Sequence, residues 1–107
     1  MNIELIQAKP LEALLNDKKP LLIDVRQVEE WNQAHIPGAT LVPLDTLPHQ
    51  IKEICSNPQE AIYLYCQRGR RSHQSALILL SLGYQNIHEL EGGIETWIGA
   101  GCPCQSE

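Results

Sequence analysis

Short apolar runs alternate along the chain with segments in which apolar residues recur every three or four positions. The first kind predicts strands and the second helices that bury one stripe. Glu4 to Gln7 is expected to be a short strand. Pro10 suits the first turn of a following helix, where its missing N–H costs nothing, and Leu11, Leu14 and Leu15 share one face up to about Asp17. Leu21 to Val25, bounded by Pro20 and Arg26, has the continuous apolar character of a buried parallel strand. Gln27 to Ala34 predicts one or two helical turns, Ala39 to Val42 a strand entered through Pro37-Gly38, and Leu44 to Ile54 a helix through Leu44, Leu47, Ile51 and Ile54. Ala61 to Tyr65 is the clearest strand, rich in aromatic and β-branched residues, and it runs straight into Cys66. Ser72 is expected to cap the next helix, with Ala76, Leu79 and Leu80 on its buried side and Gly83 as its stop. Ile87 to Leu90 predicts a last strand, and Gly92-Gly93 leads into a short helix around Trp97.

Strands alternating with helices imply the α/β class: a mostly parallel five-stranded sheet with helices on both faces. In open sheets of this kind ligands bind at the carboxyl ends of strands, which is where Cys66 falls. The 107 residues suffice for one domain with a real core and are too few for two that fold independently. No repeat, low-complexity tract or linker interrupts the pattern.

Charge narrows the function. A net charge of −5 argues against general binding to nucleic acid or anionic membranes. Yet of only four arginines (Arg26, Arg68, Arg70 and Arg71), three fall within four residues, a local anion site on an acidic body. The start, MNIELIQAKP, lacks a basic segment followed by an apolar one, and no apolar run approaches the roughly 18 to 20 residues of a membrane helix. A cytoplasmic location is therefore expected. There the four cysteines (Cys55, Cys66, Cys102 and Cys104) would stay reduced, and their spacing suggests no disulfide framework. No metal site is expected, because Cys102-Pro103-Cys104 has no second ligand pair and the histidines are scattered. No other cofactor is implied.

The segment Cys66-Gln67-Arg68-Gly69-Arg70-Arg71-Ser72 joins the clearest strand to the clearest helix. A helix start offers unpaired N–H groups and the positive end of a dipole. Arg68, Arg70 and Arg71 add full charges, and Gly69 permits the positive φ by which loop amides turn inward as an anion-binding nest. All three effects favour a thiolate at Cys66, and the sequence expectation is a sulfur open to dissolved donors with the guanidinium groups facing it. Each feature also has a plain interpretation, a core cysteine and a solvated cationic surface.

Several segments, in order, resemble the rhodanese-like domain family from about Ile6 to Trp97. Leu22-Ile23-Asp24-Val25-Arg26 is similar to its strand ending in Asp-Val-Arg. Glu30-Trp31 and His35-Ile36-Pro37-Gly38-Ala39 resemble its Glu-aromatic and Gly-His-Ile-Pro-Gly-Ala segments, with Ala34 in place of the frequent glycine. Cys66 to Ser72 fits Cys-x-x-Gly-x-Arg-Ser, and Gly83-Tyr84, Gly92-Gly93 and Trp97 fit the C-terminal signature. The resemblance implies a single rhodanese-like domain over residues 1–100, followed by a C-terminal tail, 101–107. It also implies a thiosulfate sulfurtransferase: Cys66 as nucleophile and persulfide carrier, and the backbone of Gln67, Arg68, Gly69, Arg70, Arg71 and Ser72 as the persulfide cradle. Thiosulfate or a related anionic donor would supply sulfur to cyanide, a thiol or a protein acceptor.

Asp24 and Arg26 are expected to act as a structural pair near the site, since a partly buried charge requires a partner. His35 is expected to be a hydrogen-bonded loop residue, His73 an exposed helix residue at the rim, and Cys55 a packing residue. Cys102 and Cys104 could relay sulfur from Cys66 or do nothing. Two other functions compete. A phosphatase or arsenate reductase would use Cys-x5-Arg, one residue longer than the Cys66-x4-Arg71 present here. A non-enzymatic sulfur carrier or regulatory module would keep the fold, and a carrier would keep Cys66 as well.

Overall fold

The computed structural model describes residues 3–107; Met1 and Asn2, the first two residues of the expected domain, lie outside the described residues. Strands and helices alternate strictly: β1 (Ile3–Ile6), α1 (Ala8–Lys18), β2 (Leu21–Asp24), α2 (Val28–Gln33), β3 (Thr40–Leu41), α3 (Leu47–Ile54), β4 (Ile62–Tyr65), α4 (Arg70–Ser81), β5 (Ile87–Leu90) and α5 (Gly93–Gly99). All strand pairs are parallel, in the order β1-β5-β4-β2-β3. The α/β expectation is borne out.

Alternation along each strand divides the core in two. Ile23, Leu64 and Ile87 face one side, where Leu47 and Ile51 of α3 and Ala76 and Leu79 of α4 cover them. Leu22, Tyr65 and Leu90 face the other, against Leu11 of α1 and Ile94 and Trp97 of α5. Both faces of β2 and β4 are therefore buried, which is why those strands read as unbroken apolar runs.

Element ends depart from the sequence expectation where backbone pairing intervenes. The expected strand Ala39 to Val42 shrinks to two residues because it is the sheet edge and pairs only with β2, although the Val42 amide still donates to the Asp24 carbonyl at 2.9 Å. The expected helix from Leu44 starts at Leu47 instead, since the Pro43 carbonyl first takes the amides of Thr46 and Leu47 in a turn. The tail 101–107 folds back: His35 and Gln105 exchange both backbone hydrogen bonds at 2.8 Å, and the Trp97 indole donates to the Pro103 carbonyl at 2.7 Å. No helix among the described residues is long and apolar enough to cross a membrane.

Candidate active site

Cys66 follows the last residue of β4 at the centre of the sheet, and the chain turns within four residues into α4. The turn is made by Gly69 at φ 116°, a conformation L side chains rarely adopt, and Gly69 is the N-cap. Ser72 was expected to cap this helix. It lies instead in the first turn, where its hydroxyl donates back to the Gly69 carbonyl at 3.1 Å. Glycine takes the cap because the chain must reverse immediately beside the sulfur, and only a positive φ allows it.

The reversal aims the Gly69 N–H at the Cys66 sulfur, 3.0 Å away, while the thiol reaches the Ser72 hydroxyl oxygen at 3.7 Å. The amides of Arg70, Arg71 and Ser72 open α4 and have no carbonyl four residues back within the helix. A second helix fixes the other side of the loop. The amide of Ile94 donates to the Cys66 carbonyl at 2.9 Å and that of Glu95 to the Gln67 carbonyl at 3.3 Å. With those carbonyls turned toward α5, the trans peptide geometry turns the amides of Gln67 and Arg68 the opposite way.

Gly93 makes this docking feasible. It has φ 68°, and a β-carbon there would lie 2.4 Å from the Gln67 carbonyl oxygen and 2.6 Å from that of Cys66. The sequence pattern marked Gly92-Gly93 as a helix approach without showing that it seats the loop.

Two expectations about the sulfur are corrected. Cys66 is 2% exposed rather than open, because it packs into the core on the α3/α4 side, under the loop and the start of α4. Nor do the guanidinium groups all face it. Arg68, its side chain 80% exposed, donates from Nε to Glu95 at 3.0 Å, and Arg71 makes a two-pronged pair with Glu30 at 2.7 and 2.9 Å. Each cation found a carboxylate from another helix, a gain of hydrogen bonds as well as charge pairing. The Arg71 bond in particular holds the Glu30 carboxyl down at about 2. Arg70 is exposed and makes no ion pair among the described residues.

Asp24 and Arg26 lie at the end of β2, next to β4, both buried. The Asp24 carboxylate accepts the Arg26 backbone amide, Nε and Nη2, and Arg26 donates onward to the Ala34 carbonyl at 2.6 Å and to Gln67 Oε1 at 3.1 Å. Gln67 in turn donates to Glu95 at 3.2 Å. A continuous chain of bonds thus runs from β2 through the residue after Cys66 to α5 and Arg68. Glu95 was not singled out by sequence, and Glu30 only as part of the Glu-aromatic segment; the arginines they pair with lie 27 and 41 positions away.

The remaining candidates fall into place around this frame. His35 is buried, stacked on Trp31 at 3.6 Å, with Nδ1 at 2.9 Å from the Trp31 carbonyl. His73 is exposed in the first turn of α4, with Nδ1 at 2.8 Å from the buried Glu89 carboxylate. Cys55 ends α3, buried against Asn57 and Glu60, and burial above all pushes its thiol up. Cys102 packs on the opposite face of the sheet from Cys66, beside Glu12, so it does not line the loop. Cys104 is exposed, and the Arg26 charge partly offsets the burial that raises its thiol. A concavity of about 550 Å³ bounded by Glu4, Tyr84, Asn86 and Ile87 lies at the opposite, N-terminal ends of the strands.

Comparison with known proteins agrees with this architecture. The rhodanese-like domain matches residues 7–100. A sulfurtransferase of Allochromatium vinosum is 33% identical over 92 residues, covering 86% of this chain and 84% of that protein. The thiosulfate sulfurtransferase GlpE of Tolumonas auensis is 32% identical, covering 86% and 85%. The solution structure of the rhodanese-like domain of Alr3790 from Anabaena superposes with a TM-score of 0.87 at 26% identity, covering 100% of this chain and 81% of that one. Two Bacillus subtilis relatives, YrkF and YqhL, are longer, and the match spans 44% and 64% of their lengths. With the family matched over most of its length and a parallel sheet delivering Cys66 into a glycine-turned loop, the chain belongs to the rhodanese-like domain family.

Proposed function

We propose that this chain is a sulfurtransferase that carries sulfane sulfur on Cys66 as a persulfide. The observation that carries this is the Gly69 amide 3.0 Å from the Cys66 sulfur, at the start of a helix whose first amides have no carbonyl four residues back within it. In the first half-reaction the Cys66 thiolate attacks the outer sulfur of thiosulfate or a related anionic donor. The new S–S bond forms as the donor S–S bond breaks, and sulfite leaves with the electron pair. In the second, cyanide or a thiolate attacks the outer sulfur of the persulfide and takes it as thiocyanate or a new persulfide, returning the Cys66 thiolate. The cradle of Gln67 to Ser72 amides stabilises the anionic sulfur in both steps. Asp24 and Arg26 position the loop through Gln67 and take no part in the bond changes. The chemistry requires a free thiol, and all four cysteines are unpaired, in keeping with a reducing, cytoplasmic setting.

A second function has one observation in its favour. Arg68 and Arg71 are already engaged by carboxylates and Cys66 is covered, which suits a carrier that receives sulfur from another protein and hands it to a third.

The deciding experiment is the intact mass after incubation with thiosulfate. The parent gains one sulfur atom and Cys66→Ser gains none. A parent that stays unmodified, or a variant that still gains sulfur, overturns the assignment of Cys66.

A further inference from the structure

Of the four guanidinium groups at or beside the loop, three are held by the chain's own carboxylates: Arg26 by Asp24, Arg71 by Glu30 and Arg68 by Glu95. The first two pairs are buried or half-buried and belong to the frame. The third is different, with the Glu95 side chain 44% and the Arg68 side chain 80% exposed, at the outer edge of the loop. One oxygen of Glu95, Oε2, accepts from both Gln67 Nε2 and Arg68 Nε, the two residues directly after Cys66. Those bonds hold the Glu95 carboxyl below the usual range, so it is ionised at neutral pH. An approaching anion therefore meets a carboxylate where the sequence alone promised an uncovered cation.

We propose that Glu95 is a specificity-determining residue: it offsets the Arg68 charge at the edge of the loop and so lowers, without abolishing, the preference for anionic over neutral reagents at the Cys66 sulfur. An anionic donor approaching Arg68 meets the Glu95 carboxylate that holds its Nε, whereas a neutral one meets no such repulsion. The consequence for sulfur donors rests on the sulfurtransferase function proposed above; the charge filter itself does not.

The test uses two alkylating probes of similar size, anionic iodoacetate and neutral iodoacetamide, with the modification at Cys66 read by peptide mass on the full chain. Glu95→Gln keeps an oxygen to accept from Gln67 and Arg68 while removing the charge. The ratio of iodoacetate to iodoacetamide rates at Cys66 should rise about three- to tenfold in Glu95→Gln, the effect of removing one formal charge from the edge of the loop. It should fall in Arg68→Gln, where the carboxylate is left uncompensated, and raised salt should shrink both changes.

A ratio unchanged in Glu95→Gln overturns the proposal, and so does a change in which both rates move together, since that reports a disturbed loop. Thiosulfate loading of the same variants is read separately: faster uptake in Glu95→Gln extends the filter to donors. Loss of uptake in every protein, the parent included, would remove the sulfurtransferase function while the alkylation ratio still decides the role of Glu95.

Discussion

Gly93 presses its α-carbon against the carbonyl of Gln67, so closely that a β-carbon would sit 2.4 Å from the oxygen. This contact joins the start of α5 to the loop carrying Cys66, and it sets how closely α5 holds the loop backbone. Gly93→Ala must either push the helix away or bend the loop, with a positive-φ penalty added. It should cost about 2–4 kcal/mol in chemical denaturation and accelerate modification of Cys66 by a neutral thiol reagent. Gly83→Ala is the control: φ is 99° but nothing lies within 4 Å of a β-carbon, so only the backbone term of about 1 kcal/mol is expected. Equal costs at the two sites would show that close packing at Gly93 contributes nothing.

How far the sequence disclosed this arrangement follows from the range of the interactions. Leu21–Ile23 and the strand before Cys66 were legible because burial on both faces leaves an unbroken apolar run. The loop was legible because cysteine, glycine and arginines are adjacent in the chain. What the sequence hid depends on contacts between distant segments. Ser72 has the composition of a cap, but the reversal beside Cys66 needs a positive φ and moves the cap to Gly69. The arginines read as a bare cationic patch because Glu30 and Glu95, on α2 and α5, carry no local mark of meeting them. The burial of Cys66 was equally invisible, since it depends on how α3 and α4 pack over that face of the sheet.

The buried pair of Asp24 and Arg26 leads to a coupling prediction. Asp24→Asn leaves the Arg26 guanidinium in the protein without its counter-charge, and about 3–5 kcal/mol of stability should be lost. Arg26→Met alone strands the Asp24 carboxylate in the same way. The double variant, Asp24→Asn with Arg26→Met, leaves neither charge exposed to a dry interior. Its cost should fall short of the sum of the single costs by about 1–3 kcal/mol in denaturant titrations. Strict additivity would mean that the two groups do not stabilise one another despite the three hydrogen bonds between their side chains.

The Glu30 and Arg71 pair predicts a pH dependence with a definite sign. The Arg71 hydrogen bonds come first in lowering the Glu30 carboxyl from 4.5 to about 2, assisted by the Gln27 amide and opposed by burial. A carboxyl that is more acidic folded than unfolded stabilises the fold while it is ionised. That contribution is complete above the unfolded value and disappears as pH falls through the folded one. Both side chains are 31% exposed, so solvent screening reduces the contribution to about 1 kcal/mol at neutral pH. Glu30→Gln, which still accepts the Gln27 amide, should therefore be less stable than the parent by a constant amount down to about pH 5. Between there and pH 2 the two stability curves should converge, because protonation makes the parent resemble the variant. A gap that persists unchanged to pH 2 would mean that the glutamate stabilises through packing alone and that Arg71 does not depend on its charge.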